Sequence, residues 1–349
     1  MSLLEKLTQT PSVPGREDRI RDVIQAYVTE NGLLDSLETD PMGSLIGVRK
    51  ARPKNEAVPE QPTRVMLAAH MDQIGFLVRH IDDKGFLRVN PVGGFDTRNL
   101  FARTVRVCAE SADLQGVMNP AGRPVHIASD DEKKKVPQVT DFCVDLGLSG
   151  EDAKEKVRIG DMVVLDGPFR SVGNSVVSQC LDNRVGCWAL ISALESLTHH
   201  NCDIYAAWTV QEEVGLRGAM PAAFGIEPDI GVSCDTTLNC ETPGVPEEDR
   251  VTVFGQGVAL GVMDSSMIAD IRLVEEIEAI ASKCGIACQR SILPRGGQDG
   301  GVIQRSRSGV RTVAFACPVR YIHTVTEMCH QEDLASYPAL LTAWLESIP

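Results

Sequence analysis

The chain has 349 residues, of which 43% are hydrophobic and 23% are charged. This length suits a large domain with a smaller one, and the composition is that of a well-packed globular protein, which excludes extensive disorder. The formal net charge of -14 at pH 7 repels nucleic-acid phosphates and anionic membrane surfaces. We therefore expect small molecules, peptides or cations as partners, and neither nucleic acid nor membrane.

The amino-terminal sequence and the cysteines indicate where the protein works. The first residues lack the basic start, apolar core and small-residue cleavage site of a signal peptide, and no apolar run is long enough to span a bilayer. The 11 cysteines include no C-x-x-C pair and mostly lie in apolar segments. We expect a cytoplasmic protein whose cysteines are reduced core thiols.

The apolar pattern predicts alternating helices and strands. Residues 1–30 predict two helices, because the prolines and glycine at 11–15 stop the first before Glu17 begins the second. Helices are also predicted over 183–197 and 266–282, where apolar residues share one face. Short apolar runs bounded by polar residues predict buried strands at 64–69, 203–210, 229–233 and 310–316. This alternation indicates an α/β layered domain.

A different texture begins at about residue 75 and continues to about residue 172. Short apolar segments, such as 104–108 and 161–165, alternate there with Gly, Pro and Asp. This spacing predicts a small β-rich unit inserted into the α/β domain. The charged run at 130–135 within it has nearly cancelling charges, which favours a solvated loop.

Residues able to bind a metal follow the four predicted strands. His70 follows the first, Glu212 and Glu213 the second, Asp235 the third, and His323 lies shortly beyond the fourth. Open α/β sheets bind ligands beyond the carboxyl ends of their strands, so the fold brings these residues to one crevice. Charged groups directly after strongly apolar strands are costly to desolvate unless a cation compensates them.

Asp182 allows two interpretations. It stands at the start of the helix at 183–197, where its carboxylate could cap the helix by accepting backbone N–H groups. It also fits the crevice from another direction. Two imidazoles and three carboxylates are then a suitable set of ligands for a pair of zinc-like ions.

Seven motifs occur in the order found in one family. They are Pro-Ser-Val-Pro-Gly-Arg-Glu at 11–17, His-x-Asp at 70–72, Asp-Asn-Arg at 182–184, Gln-Glu-Glu-Val-Gly at 211–215, Cys-Asp-Thr at 234–236, Gly-Gly-Gln-Asp-Gly at 296–300 and Tyr-Ile-His at 321–323. Over nearly its whole length the chain resembles the tetrahedral (TET) aminopeptidases, the glutamyl and deblocking aminopeptidases of the dinuclear zinc peptidase clan. Relatives have sometimes been labelled endoglucanases.

The resemblance implies a site with two divalent metal ions per subunit, with zinc or cobalt expected and manganese as a third candidate. One metal would be held by His70, Asp182 and Asp235 and the other by Asp182, Glu213 and His323, with Asp182 bridging. Glu212 would be the catalytic base that activates a metal-bridging water. Asp72 would hydrogen-bond His70 and fix its tautomer.

The resemblance also implies a domain organisation and an assembly. Residues 1–76 and 172–349 would form a zinc-peptidase-like α/β/α layered catalytic domain, and residues 77–171 an inserted small β-barrel that mediates dimerisation. Six dimers would build a hollow homo-dodecamer. The implied substrates are short peptides with free N-termini.

The segment at 296–301 would lie near the pocket for the substrate side chain. The family usually has Thr where this chain has Gln298, and commonly Glu where it has Gln73, so the preferred N-terminal residue stays open. Arg290, Arg295 and Arg305 near this segment would favour acidic side chains, or would belong to a surface or an interface.

Two other functions stay open at this stage. N-acyl amino acid deacylases of the same clan use the same two-metal arrangement, but they generally carry their dimerisation domain between the equivalents of Glu213 and His323, whereas the insertion here falls between His70 and Asp182. An inactive scaffold is the non-enzymatic alternative, although every predicted site position is intact. A glycosidase would need two carboxylates and no metal, which would leave the histidines without a purpose.

Overall fold

The computed structural model describes residues 2–54 and 58–349. Among these residues, no helix combines the length and the apolar character needed to cross a membrane. The helices are α1 Ser2–Thr8, α2 Asp18–Glu30, α3 Asp130–Lys134, α4 Gly150–Lys156, α5 Leu181–Ser196, α6 Ala219–Ile226, α7 Ile271–Cys284, α8 Gly300–Ile303 and α9 Gln331–Ser347. The strands are β1 Ser36–Thr39, β2 Leu45–Arg49, β3 Arg64–His70, β4 Gly75–Ile81, β5 Leu87–Val92, β6 Arg103–Cys108, β7 Asp113–Pro120, β8 Phe142–Asp145, β9 Met162–Leu165, β10 Arg170–Val172, β11 Ser175–Ser178, β12 Asp203–Thr209, β13 Ile230–Leu238, β14 Val258–Met263, β15 Cys288–Ile292, β16 Arg311–Val319 and β17 Glu327–His330.

An eight-stranded mixed sheet lies at the centre of the larger domain. Its strand order is β1-β2-β12-β3-β13-β16-β14-β15, and the central strands β12, β3, β13 and β16 run parallel to one another. Alternate residues of β3 enter different cores. Val65, Leu67 and Ala69 pack with α1, α2, α5, α7 and α9, whereas Met66 and Ala68 pack with α6 and α8. Helices therefore cover both faces, which explains the uninterrupted apolar strands and confirms the α/β/α layered fold.

The predicted strands are present as β3, β12, β13 and β16, and the predicted break after the first helix separates α1 from α2. The helix predicted over 266–282 is wrong at its start. α7 begins at Ile271, because the carboxylate of Asp270 accepts the backbone N–H groups of Arg272 and Leu273 as a helix cap. Residues 266–270 lie before it, and Ile268 pairs with Met263 in an isolated β-bridge.

The inserted unit is a closed antiparallel barrel. Its six strands follow the order β4-β5-β8-β7-β6-β9, and Phe76, Phe142 and other buried apolar residues fill its interior. Four residues separate the end of β3 at His70 from the start of the barrel at Gly75. The predicted solvated loop at 130–135 is instead the short exposed helix α3, since Ser129 and Glu132 form a reciprocal capping box.

The 11 cysteines of the chain are all free thiols. Seven of them are buried: Cys108, Cys180, Cys187, Cys202, Cys234, Cys317 and Cys329. This agrees with the prediction of reduced thiols that mostly pack in the core.

Candidate metal centre and active site

The predicted ligands converge where the parallel strands end. β3 ends at His70, whose register partner in β12 is Thr209, so these two strands end level with each other. A cavity of about 490 Å³ opens at this edge of the sheet. Its lining includes all six side chains that were predicted to bind metal or to act as the base: His70, Asp182, Glu212, Glu213, Asp235 and His323.

Both histidines point their Nε2 atoms at Asp182. The Nδ1 atom of His70 lies 3.0 Å from the backbone carbonyl of Asp72, and that of His323 lies 3.0 Å from the carbonyl of Gly94. A carbonyl can only accept a hydrogen bond, so Nδ1 carries a proton. In the neutral imidazole the lone pair that can bind a metal is therefore on Nε2. His70 Nε2 lies 3.4 Å from Asp182 Oδ1, and His323 Nε2 lies 3.4 Å from Asp182 Oδ2. The Asp182 carboxylate thus faces one imidazole with each oxygen.

Asp182 does not cap the helix that follows it. Its backbone is not helical, with φ −79° and ψ 111°, and the cap is supplied by Asn183, whose Oδ1 accepts the backbone N–H of Gly186. The Oδ1 atom of Asp182 is buried and has no hydrogen-bond partner within residues 2–54 and 58–349. Such an orphaned buried carboxylate oxygen is costly unless a cation contacts it.

The remaining carboxylates surround the same centre. Asp235 Oδ1 lies 3.7 Å and Glu212 Oε2 3.9 Å from His70 Nε2, and Glu213 Oε1 lies 3.4 Å from His323 Nε2. Two sets bring one nitrogen or oxygen atom of each member within 4.8 Å of the others: His70 with Glu212 and Asp235, and His70 with Asp182 and Glu213. Imidazole nitrogens and carboxylate oxygens in this arrangement fit zinc-like divalent ions.

The electrostatics of the cluster also favour divalent cations. Burial raises the pKa of Asp235 and that of Glu212 well above the usual range, although His70 opposes the rise. Burial would lower the pKa of His323, yet Asp182 and Glu213 raise it to about 12. Among the described residues, the ion-pair partners of the site carboxylates are the two histidines. The excess negative charge calls for cations or for protons in their place.

Asp72 contacts the site differently from the prediction. The expected hydrogen bond between its carboxylate and His70 is absent, since Asp72 Oδ1 lies 3.7 Å from His70 Nδ1, and the backbone carbonyl of Asp72 takes that bond. The carboxylate instead accepts the backbone N–H groups of Glu212 at 3.0 Å and Glu213 at 3.1 Å. Asp72 therefore holds the loop that carries these two glutamates.

The glycine-rich segment lines the same cavity as the ligands. Arg295, Gly296, Gly297 and Gln298 form part of its wall. The Nε2 atom of Gln298 donates to the carbonyl of Thr236 at 3.1 Å. Arg290 instead pairs with Glu278, and Arg305 donates to the carbonyl of Gly301, so Arg295 is the one arginine of the three in the cavity wall.

Two further buried acids lie at this edge of the sheet, and the sequence analysis assigned a role to neither. Asp299 Oδ2 accepts the hydroxyl of Thr209 at 2.5 Å, and burial raises the pKa of Asp299 to about 6. Glu327 accepts the backbone N–H groups of Asp182 and His323, and burial raises its pKa to about 8. Glu327 follows no apolar strand and stands in a polar stretch, so the sequence carries no signal for it.

Comparison with known proteins agrees with this fold and site. The lysyl aminopeptidase of Pyrococcus furiosus is 32% identical over 355 residues, which cover 99% of this chain and 96% of that protein. The structure of an aminopeptidase from the archaeon Desulfurococcus kamchatkensis superposes with a TM-score of 0.92 at 34% identity, covering 99% of this chain and 94% of the other. The TET1 peptidase of Pyrococcus horikoshii, described as assembling into a tetrahedron or a large octahedral shell, gives a TM-score of 0.86 at 31% identity, with 99% of both chains covered.

These similarities define an aminopeptidase, a hydrolase that acts on peptides. The family model of the M42 glutamyl aminopeptidases matches residues 43–340, and the chain belongs to this family. The predicted relationship to the TET aminopeptidases is thereby confirmed.

Proposed function

We propose that the protein removes N-terminal residues from short peptides with two divalent metal ions per subunit. The observation that carries this proposal is the position of Asp182, whose two carboxylate oxygens each face the free Nε2 atom of a different histidine at 3.4 Å. A carboxylate between two imidazoles in this way is suited to bridge two cations. We assign His70 and Asp235 to one metal and Glu213 and His323 to the other, with Asp182 shared.

Zinc or cobalt is the proposed metal, with manganese as a third candidate, because each accepts mixed imidazole and carboxylate ligands. When bound, such ions supply Lewis-acid polarisation of the peptide carbonyl and stabilise the negative charge that develops on its oxygen. Two observations support the fit of the protein to this pair. Oδ1 of Asp182 has no hydrogen-bond partner, and among the described residues the ion-pair partners of Asp182 are the two histidines.

Glu212 is the proposed catalytic base. Its carboxylate lines the cavity, and its nearest ion-pair partner among the described residues is His70, at 3.9 Å. We propose that it takes a proton from the attacking water and delivers it to the nitrogen of the leaving amine. Asp72 keeps Glu212 and Glu213 in place through their backbone N–H groups, so that one side chain serves the base and the other a metal.

The proposed substrates carry a free N-terminus. The cavity contains four buried or half-buried carboxylates, Asp182, Glu212, Glu213 and Asp235, whose negative charge the two divalent ions would balance. The support for a free N-terminus is the match to the glutamyl aminopeptidase family and the similarity to a lysyl aminopeptidase. This favours peptides with free N-termini over N-acyl amino acids. A deacylase is further disfavoured by the position of the barrel, which follows β3 directly.

We also propose a homo-dodecamer built from dimers, in which the barrel mediates the dimer contact. The support is the similarity to the P. horikoshii TET1 peptidase, one of whose structures is described as a dodecamer.

The proposed activity is tested with the metal-free protein, reloaded with zinc, cobalt or manganese, on a panel of aminoacyl nitroanilides beside their N-acetylated counterparts. We expect metal-dependent release from the free-amine substrates alone. Cleavage of the acetylated compounds would favour a deacylase, and no cleavage of either series would favour an inactive scaffold. The panel also ranks the side chains that the pocket prefers.

A further inference from the structure

Three buried carboxylates outside the proposed ligand set accept backbone N–H groups from the loops that carry the ligands. Asp72 binds the loop of Glu212 and Glu213, as described above. Glu327 accepts the N–H of Asp182 at 2.9 Å and the N–H of His323 at 2.7 Å. Glu17 accepts the N–H of Gln211 at 3.1 Å. Buried acids therefore accept five backbone N–H groups of the site, three from the segment 211–213 and one each from Asp182 and His323.

Two of these peptide groups belong to residues with an unusual backbone. Gln211 has φ 56° and His323 has φ 62°, in the left-handed region that non-glycine residues rarely adopt. This conformation costs about 1–2 kcal/mol per residue and persists only where the surroundings hold it. Glu17 and Glu327 supply such a hold through charge-assisted hydrogen bonds.

Both glutamates are buried and form no ion pair with the part of the chain that the structure describes. Glu17 is 4% exposed and Glu327 is 2% exposed. Among the described residues, their hydrogen bonds come from backbone N–H groups: Gly15 and Gln211 for Glu17, and Asp182 and His323 for Glu327. Burying an acid without a cation costs stability, which the hydrogen bonds from the backbone N–H groups offset.

We propose that Glu17 and Glu327 are positioning residues of the metal centre. Glu327 joins Asp182 to His323, which is distant from it in the chain, and fixes the spacing between them. Glu17 fixes Gln211 and so sets where Glu212 and Glu213 emerge from the strand end. This role rests on the proposed two-metal function and extends it to residues that contact neither substrate nor metal.

The two glutamates use their oxygens differently, and this gives a sharp test. Glu327 accepts one N–H with each oxygen, Oε2 from Asp182 and Oε1 from His323. Glutamine has a single acceptor oxygen, so Glu327→Gln must lose one bond and set an amide N–H against a backbone N–H. Glu17 accepts both of its N–H groups with Oε1 alone. Glu17→Gln can therefore keep both bonds, whereas Glu17→Ala loses both.

Asp333 offers a matched control. It is a fully buried carboxylate that also accepts two backbone N–H groups with separate oxygens, from Gly255 and Gly257. Neither glycine lines the site cavity. Asp333→Asn should lower the thermal midpoint as Glu327→Gln does, but should leave the metal centre intact.

The experiment measures zinc dissociation constants by chelator competition, together with kcat, KM and the melting temperature, on the full chain. We expect Glu327→Gln to weaken zinc binding by about 10–100-fold, the range found when groups that orient metal ligands are removed. Asp333→Asn should bind zinc as the unaltered protein does. Glu17→Ala should lower kcat, and Glu17→Gln should restore it.

Wild-type zinc affinity and kcat in Glu327→Gln would overturn the role of Glu327. If Asp333→Asn lost as much zinc affinity as Glu327→Gln, the effect would come from general destabilisation of the fold. Equal kcat values for Glu17→Gln and Glu17→Ala would overturn the role of Glu17. If Glu327→Gln does not fold, the comparison of these two Glu17 variants tests the positioning proposal instead. Absence of zinc binding by the unaltered protein would remove the two-metal proposal itself, and the positioning role with it.

Discussion

Replacing Glu212 by glutamine separates proton transfer from metal binding. Among the described residues, the Glu212 side chain makes no hydrogen bond, and its nearest ion-pair partner is His70 Nε2 at 3.9 Å. Its backbone N–H donates to Asp72 in the variant as before. The amide has the size and shape of the carboxylate, so we expect an unchanged fold and retained metals. What disappears is the ability to accept a proton from water.

The size of the effect follows from that single loss. General acid–base catalysis contributes about 10²–10⁴-fold, or roughly 3–5 kcal/mol of barrier. We expect kcat of Glu212→Gln to decrease by about 10²–10⁴-fold while KM changes little. Glu213→Ala removes a group that lies 3.4 Å from His323 Nε2, so it should weaken metal binding as well as activity.

The assay combines metal content per subunit after dialysis with steady-state kinetics on the preferred aminoacyl nitroanilide. Full occupancy with low kcat in Glu212→Gln, beside reduced occupancy in Glu213→Ala, supports the division of labour. Equal loss of metal in both variants would refute it. Full recovery of Glu213→Ala by excess zinc would separate weak binding from a damaged fold.

Three other predictions concern the stability of the fold and the assembly of the subunits. Arg184 is fully buried and donates to the carbonyls of Leu7, Thr10 and Met71 and to the hydroxyl of Ser12. Because lysine keeps the charge but cannot reach all four acceptors, Arg184→Lys should lower the free energy of unfolding in urea by at least about 3 kcal/mol. An unchanged urea midpoint would contradict this structural role of Arg184. Burial raises the pKa of Asp333 from 3.8 to about 6; the folded chain therefore binds a proton that the unfolded chain lacks, and the stability from this group falls as the pH rises from about 4 to 6. Asp333→Asn should remove that slope from urea unfolding of the metal-free protein, and an identical slope would exclude Asp333 as its source. Deleting residues 77–171 should give smaller particles with fewer subunits in light scattering, and an unchanged number of subunits would exclude the barrel from the subunit interface.

The sequence predicts the fold, and it predicts which side chains the structure brings to one cavity, because both follow from apolar runs. His70 ends β3 and the Glu212–Glu213 pair lies just beyond β12, whereas Asp235 lies within β13, which continues to Leu238 instead of ending at residue 233 as predicted. The start of α7 was misplaced because Ile268 continues the helical pattern, although it pairs in a β-bridge. Periodicity does not reveal where a local cap such as Asp270 will interrupt it.

The details that orient the ligands could not be predicted in the same way. The hydrogen bond to His70 was expected from the carboxylate of Asp72 and comes from its carbonyl. A carbonyl is present at every residue, so no residue type marks it. The sequence does not indicate the contacts of Glu327 either, because Asp182 is distant in sequence and both Asp182 and His323 contribute only peptide N–H groups. These contacts depend on three-dimensional register, which a pattern of side chains does not contain.

The carbonyl of Gly94 links the two domains of the molecule. It lies just after β5 of the barrel, and it receives the Nδ1–H of His323 in the larger domain. A contact from the barrel therefore orients His323, whereas His70 stands at the end of a strand of the large sheet. A subunit whose barrel is displaced, for instance before it meets its neighbours, would keep its sheet and its carboxylates yet hold one imidazole loosely. If the proposed function holds, such a subunit would hydrolyse peptides more slowly than one whose barrel is in place.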